Sequence, residues 1–149
     1  MTSYDVPLRE TLIQASSAFG AATETFTHIG PKGKRGLVRD IEVDITADMV
    51  GTTTVPEIDV GTASGDATYA RYRLGSAAGT GYAASATPKR ASQEAITGNP
   101  PRALSDFAGH VQLERTFIPA DTAFVVTRKA GTGGTPAGTA KSRVIIEWF

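Results

Sequence analysis

The segment Gly36-Leu37-Val38-Arg39-Asp40-Ile41-Glu42-Val43-Asp44-Ile45-Thr46 constrains the fold more than any other part of the chain. Leu37, Ile41, Val43 and Ile45 share one parity, while Asp40, Glu42 and Asp44 share the other. Successive side chains of an extended backbone point to opposite faces, so this pattern buries the aliphatic residues and leaves the carboxylates in water. It predicts a half-buried antiparallel strand. Upstream, Glu24 to Ile29 alternates in the same way, with Phe26 and His28 on one parity. The glycine-rich stretch Gly30-Pro31-Lys32-Gly33-Lys34-Arg35-Gly36 separates the two, and together they predict a hairpin with a basic tip.

Further strands are predicted at short spacing. Val55 to Val60 carries Pro56, which suggests an edge or strand-start position. In Thr68 to Leu74, Tyr69, Arg71 and Arg73 alternate with Ala70, Tyr72 and Leu74. Val111, Leu113 and Phe117 alternate through HVQLERTF, and residues 123–128 (AFVVTR) and 143–149 (RVIIEWF) supply two more strands. Residues 130–140 (AGTGGTPAGTA) lack an apolar anchor and are expected to form an exposed, mobile loop. Residues 7–18 fit a short helix, a strand or an extended arm, and residues 75–110 are expected to hold one or two weak strands among long loops. No internal repeat is present.

Seven or eight short strands in 149 residues imply an all-β, single-domain antiparallel β-sandwich of jelly-roll or immunoglobulin-like topology. Residues 1–22 are expected to be an N-terminal arm or first edge element, and residues 23–149 the β-sandwich domain. A chain of this size can bury one core without staples, and none is available, because there is no cysteine. That absence excludes disulfides, thiolate metal sites and cysteine nucleophiles. No run of eighteen apolar residues occurs. The start, MTSYDVPLRE, has no apolar core of a signal peptide. The expectation is a soluble protein made in a cytoplasm.

Catalytic motifs are missing. His28 and His110 stand 82 positions apart with no metal-binding spacing around either, and are expected to be hydrogen-bonded structural residues. There is no GxSxG elbow. The GPKGKRG loop has Arg35, not Ser or Thr, after Gly33-Lys34, so it is no P-loop. Acidic residues are spread along strand faces, which cannot wrap one calcium ion. No catalytic residue, cofactor or metal is expected, and the chain is expected not to be an enzyme.

Charge is distributed unevenly. Lys plus Arg and Asp plus Glu each number 15, for a formal charge of zero. Residues 40–66 nevertheless carry seven carboxylates (Asp40, Glu42, Asp44, Asp48, Glu57, Asp59, Asp66) and no Lys or Arg. The 71–90 region is basic, with Arg71, Arg73, Lys89 and Arg90. Two readings follow: cross-strand pairing within one subunit, or complementary docking between copies or onto a larger surface. Zero net charge argues against direct nucleic-acid binding. The terminal Trp148-Phe149 pair either closes the core or anchors an interface.

Several features resemble those of small virion proteins of tailed bacteriophages. They are Phe26–Ile29 followed by GPKGKRG and RDIEVDIT, and then IPADTAFVVT, the GTGGTPAGTA loop and the closing Glu147-Trp148-Phe149. The chain is similar in these parts to capsid decoration (cement) proteins with a jelly-roll-like sandwich. The resemblance implies a non-enzymatic structural protein on the capsid exterior of the virion, made in the host cytoplasm. Its partners would be the major capsid protein and copies of itself, as a homodimer or homotrimer, with no membrane contact. The interface candidates are Lys32, Lys34, Arg35, Arg71, Arg73, Lys89, Arg90, Trp148 and Phe149. The alternative is a carbohydrate- or receptor-binding module of a phage fibre or adhesin, with Tyr69, Tyr72 and Tyr82 as its aromatic candidates.

Overall fold

A computed structural model describes residues 7–20, 22–93 and 110–149; expectations for residues 1–6, 21 and 94–109 lie outside them. Among the described residues the chain is built from strands: β1 (Leu8–Ala18), β2 (Glu24–Ile29), β3 (Gly36–Val50), β4 (Glu57–Gly61), β5 (Ala70–Arg73), β6 (Gly75–Ala77), β7 (Thr80–Gly81), β8 (Lys89–Arg90), β9 (Val111–Gln112), β10 (Ala123–Lys129) and β11 (Ala137–Trp148). They form a four-stranded sheet, β1-β11-β3-β8, and a five-stranded sheet, β2-β10-β4-β5-β9, with β6 and β7 as a small separate ladder. The all-β sandwich predicted from periodicity is what the chain adopts.

The two large sheets face each other across one core. Ile41, Val43 and Ile45 from β3 and Val144, Ile146 and Trp148 from β11 line one side. Ile58, Val60, Ala70, Tyr72, Phe124 and Val126 line the other. Alternation is clearest in β11, where each even-numbered residue from Gly138 to Trp148 is buried and each odd one is half-buried. β3 departs from strict period two at Arg39. Asp40 pairs with Ile145 while Val38 pairs with Ile146, so Arg39 is an extra residue, a bulge. The bulge lets both Val38 and Ile41 enter the core and turns Arg39 toward the end of the sandwich.

All strand pairing is antiparallel, and in the main sheets much of it is nested. β1 pairs with β11, β2 with β10, β3 with β8, and β4 with β5. Consecutive strands β1, β2, β3 and β4 therefore alternate between sheets. This corrects the expected hairpin. β2 and β3 belong to different sheets, and the 30–35 connector crosses the end of the sandwich. Alternation reports that one face is buried but not which strand lies alongside. The connector's glycines have a steric reason: a Cβ at Gly30 would lie 2.2 Å from Trp148 Cη2, and one at Gly36 would lie 2.5 Å from Cζ3. The chain must pass close to the six-membered ring of the indole at both glycines.

Two open readings are narrowed and one expectation changes. Residues 8–18 are a strand at the edge of the four-stranded sheet. Of the two positions Pro56 suggested, the strand start holds, since Pro56 immediately precedes β4, and the edge does not, since β4 is central between β10 and β5. The 130–140 segment is a loop only through residue 136, and that loop is tied down by backbone contacts. Residues 137–140 begin β11, and Thr132 and Gly133 hydrogen-bond the 52–54 turn through Thr53 N–H to Thr132 O (2.8 Å) and Thr132 N–H to Thr54 O (2.9 Å). A Cβ at Gly131 would meet Thr54 O at 2.6 Å, so glycine there permits backbone contact.

One buried charge ties the sheets together beside β1 and β2. Arg128, on the core side of β10, donates to Ala15 O (2.8 Å) and to Ala140 O, and pairs with Glu24 at 3.4 Å. Its guanidinium carbon lies 4.6 Å from the centre of the Phe19 ring.

Candidate interaction surface

The most distinctive exposed grouping lies where the 30–35 connector, the 113–118 segment and the C-terminal residue meet. Arg35 and Phe149 exchange backbone hydrogen bonds (3.1 and 2.9 Å), and Gly36 and Ile118 do the same (2.9 and 2.7 Å). This double clamp fixes the backbone beneath four side chains. The Arg35 guanidinium carbon sits 4.2 Å from the Phe117 ring centre. Phe117 and Phe149 pack edge to face, with centroids 6.0 Å apart and planes at 83°. Arg39, turned outward by the bulge, lies 5.8 Å from the Phe149 ring centre. It is held there by Glu114 (2.8 Å) and Glu147 (2.9 Å).

The two phenylalanines remain 38% and 36% exposed, so this row presents apolar surface framed by guanidinium groups. Adjacent aromatic and arginine side chains on a rigid backbone have the composition of interface hot spots, since they cover area while losing little freedom on contact.

The nine predicted interface residues separate into distinct places. Arg35 and Phe149 belong to the row, and Lys32 and Lys34 lie in the adjoining connector, Lys32 exposed. Lys89 and Arg90 form the short edge strand β8, where Lys89 Nζ lies 4.8 Å from the Tyr82 ring centre and Arg90 pairs with Glu42 at 2.9 Å. Arg71 and Arg73 stand on the outer face of the five-stranded sheet. Trp148 is 1% exposed, and its Nε1–H donates to Glu10 at 2.8 Å. It is a core residue and no exposed anchor, because its even-numbered position in β11 faces inward.

Arg71 and Arg73 are engaged within the chain. Arg71 Nε reaches Asp59 at 2.9 Å, Arg73 Nε reaches Glu57 at 3.0 Å, and Lys129 Nζ approaches Glu57 at 3.3 Å. Burial favours the neutral form of both carboxyls. At Glu57 the charge of Arg71, the Arg73 hydrogen bond and the Lys129 charge prevail, and its pKa falls below the usual range. At Asp59 burial wins over the Arg71 hydrogen bond, the Glu57 charge adds to it, and the pKa is pushed up to about 6.

The other members of the acidic block are also satisfied internally. Asp40 accepts from Ser92 N and Oγ (2.9 and 2.7 Å), and Asp48 from Ala84 N (2.8 Å). Glu42 and Asp44 pair with Arg143 at 3.0 and 2.6 Å. Asp66 accepts from Thr62 and Thr68, which pulls its pKa down to about 2. Glu42, Asp44, Glu57 and Asp59 thus follow the cross-strand reading, while Asp40, Asp48 and Asp66 accept from hydroxyls and backbone amides within the chain.

Tyr69 and Tyr72 are buried, and Tyr82 is half-buried with its hydroxyl 3.2 Å from His110 Nε2, so these three build no exposed aromatic platform. An open polar cleft of about 530 Å³ is lined by Asp66, Thr68, Arg71, Arg115 and Thr116. Both of its guanidiniums are committed, Arg71 as above and Arg115 to Ala67 O (3.0 Å) and Gln112 (2.6 Å). Among the described residues, no three His, Cys, Asp or Glu side chains converge as a metal site. No family model matches the chain, and no curated protein or solved structure matches it.

Proposed function

We propose that the protein is a jelly-roll structural component of a bacteriophage virion that binds the outside of the capsid and braces the major capsid protein lattice. The observation that carries this reading is the clamped, exposed row of Arg35, Phe117, Phe149 and Arg39. It gives a rigid sandwich a surface suited to holding another protein.

The strand order supports the jelly-roll part. Pairing of β1 with β11, β2 with β10, β3 with β8 and β4 with β5 is what a long antiparallel ribbon makes when it wraps into two sheets. A lattice offers many equivalent sites, so a small aromatic and arginine contact in each suffices when copies bind side by side.

The test uses purified protein and assembled shells of the major capsid protein encoded in the same genome. The protein is expected to co-sediment with the shells and to raise their disruption temperature. Failure to co-sediment at both low and moderate salt overturns the proposal.

A further inference from the structure

We infer that β1 is a self-association edge, pairing with β1 of a second copy of this chain about a two-fold axis at Thr11.

The four lateral edges of the sandwich are not alike. A free strand edge is a template for another strand, and natural proteins blunt such edges with shortness, proline or charge. β8 is two residues long, both cationic, and follows Pro88. β9 is also two residues long, and β2 has six residues and runs into Gly30-Pro31. β1 has eleven residues and no proline, and its two charged side chains, Arg9 and Glu10, are opposite in sign. Among the described residues only β11 pairs with it, leaving its other edge without a strand. Leu8 and Ile13 on this strand are 51% and 60% exposed.

The sequence of the strand selects the partner. Its register with β11 is regular from Leu8 to Gln14 and shifts between Gln14 and Ser17, which ends the straight portion. The middle residue of Leu8–Gln14 is Thr11. An antiparallel copy centred there places Thr11 opposite Thr11, Arg9 opposite Ile13, Glu10 opposite Leu12 and Leu8 opposite Gln14. No like charges face each other, and Ile13 covers the aliphatic stem of the opposing Arg9. A threonine pair at the axis suits a cross-strand contact. The interface is isologous, so it closes as a dimer, and it joins two four-stranded sheets into one of eight strands. The inference stands whether or not the protein binds a shell.

Sedimentation of the full chain over a concentration series tests it. A monomer–dimer equilibrium is expected. Ile13→Lys, which opposes Arg9 with a like charge, is expected to raise the dissociation constant by about tenfold or more. Ile13→Glu, equally polar but opposite in sign to Arg9, is expected to retain the dimer. Because the chain lacks cysteine, Thr11→Cys is expected to give a disulfide-linked dimer under mild oxidation, since directly opposed strand residues lie within disulfide reach. Thr27→Cys, on the exposed face of β2, reports random collision. A monomer at every concentration overturns the inference. So does equal weakening by the two Ile13 variants, or Thr11→Cys cross-linking no faster than Thr27→Cys.

Discussion

The Asp59 carboxylate receives a 2.9 Å hydrogen bond from Arg71 Nε, yet Asp59 is 0% exposed and its proton is held up to about pH 6. Burial and the neighbouring Glu57 outweigh a direct ion pair at this position. The folded state therefore binds this proton more tightly than the unfolded chain, whose Asp titrates near 3.8. Stability from this group is fully present below that value and is lost as pH rises toward 6. The loss is on the order of 3 kcal/mol. Urea denaturation of the protein and of Asp59→Asn between pH 4 and 8 checks this. The difference between them is expected to shift against the parent protein as pH rises from 4 to 6 and then to level off. Parallel curves across that window would show that another group holds the proton.

His28 responds in the opposite direction. It packs 5.7 Å from the Phe124 ring, its Nε2 is buried without a hydrogen-bond partner, and burial lowers its pKa despite the nearby Glu10 charge. The folded protein keeps the ring neutral after the unfolded chain has begun to protonate near pH 6.5. Stability is thus lost as pH falls through 6.5. His28→Leu is expected to remove that acid-side loss, read as a flatter melting temperature between pH 7 and 5. In Glu10→Gln the histidine pKa is expected to fall further, as followed by its NMR titration.

The indole of Trp148 and the glycines beside it form one steric unit. Gly30→Ala and Gly36→Ala are each expected to destabilise the fold by about 1–3 kcal/mol through overpacking. Trp148→Leu alone leaves a cavity and is expected to cost about as much or more. Combining Gly30→Ala with Trp148→Leu is expected to cost less than the sum, because the added methyl then enters vacated space. Chemical denaturation of the four proteins gives the coupling, and strict additivity would separate the loop from the ring.

The exposed row separates binding from stability. Arg35→Ala and Phe117→Ala are each expected to weaken shell binding about tenfold or more, as hot-spot truncations do. Removal of exposed side chains changes folding stability by only about 0.5 kcal/mol. Co-sedimentation isotherms and thermal melts, measured on the same samples, check both halves. Arg73→Ala, engaged with Glu57 on the outer face of the five-stranded sheet, is expected to alter the melt more than the isotherm.

What could be read from residues alone followed physical lines. β2, β3, β10 and β11 were legible because each buries one face and period two records that burial directly. Strand partners were not legible, since a corner that crosses between sheets and a hairpin share the same alternation. Arg35 and Phe149 were recognisable as interface candidates for their chemistry, but Phe117 and Arg39 were missed. Phe117 continued an apolar alternation that implied core, and Arg39 lay inside a strand whose bulge becomes visible only with β11 alongside. Arg128 had left a trace, sharing parity with Phe124 and Val126 in β10. A lone cation at core parity marks a buried clamp or a break in the pattern, and only coordinates distinguish them.

The adjacency of β1 and β11 sets the order in which the molecule can be built. β11 lies between β1 and β3, so residues 8–18 and 36–50 have no common partner until residues 137–148 have left the ribosome. Nested pairing of this kind loads the folding barrier with loop closure over nearly the whole chain. Folding is therefore expected to be slow, with the outermost pair of strands completing the four-stranded sheet late. Until then the β1 template stays open on both sides, which makes the nascent chain most vulnerable to mispairing in the interval before β11 pairs with it.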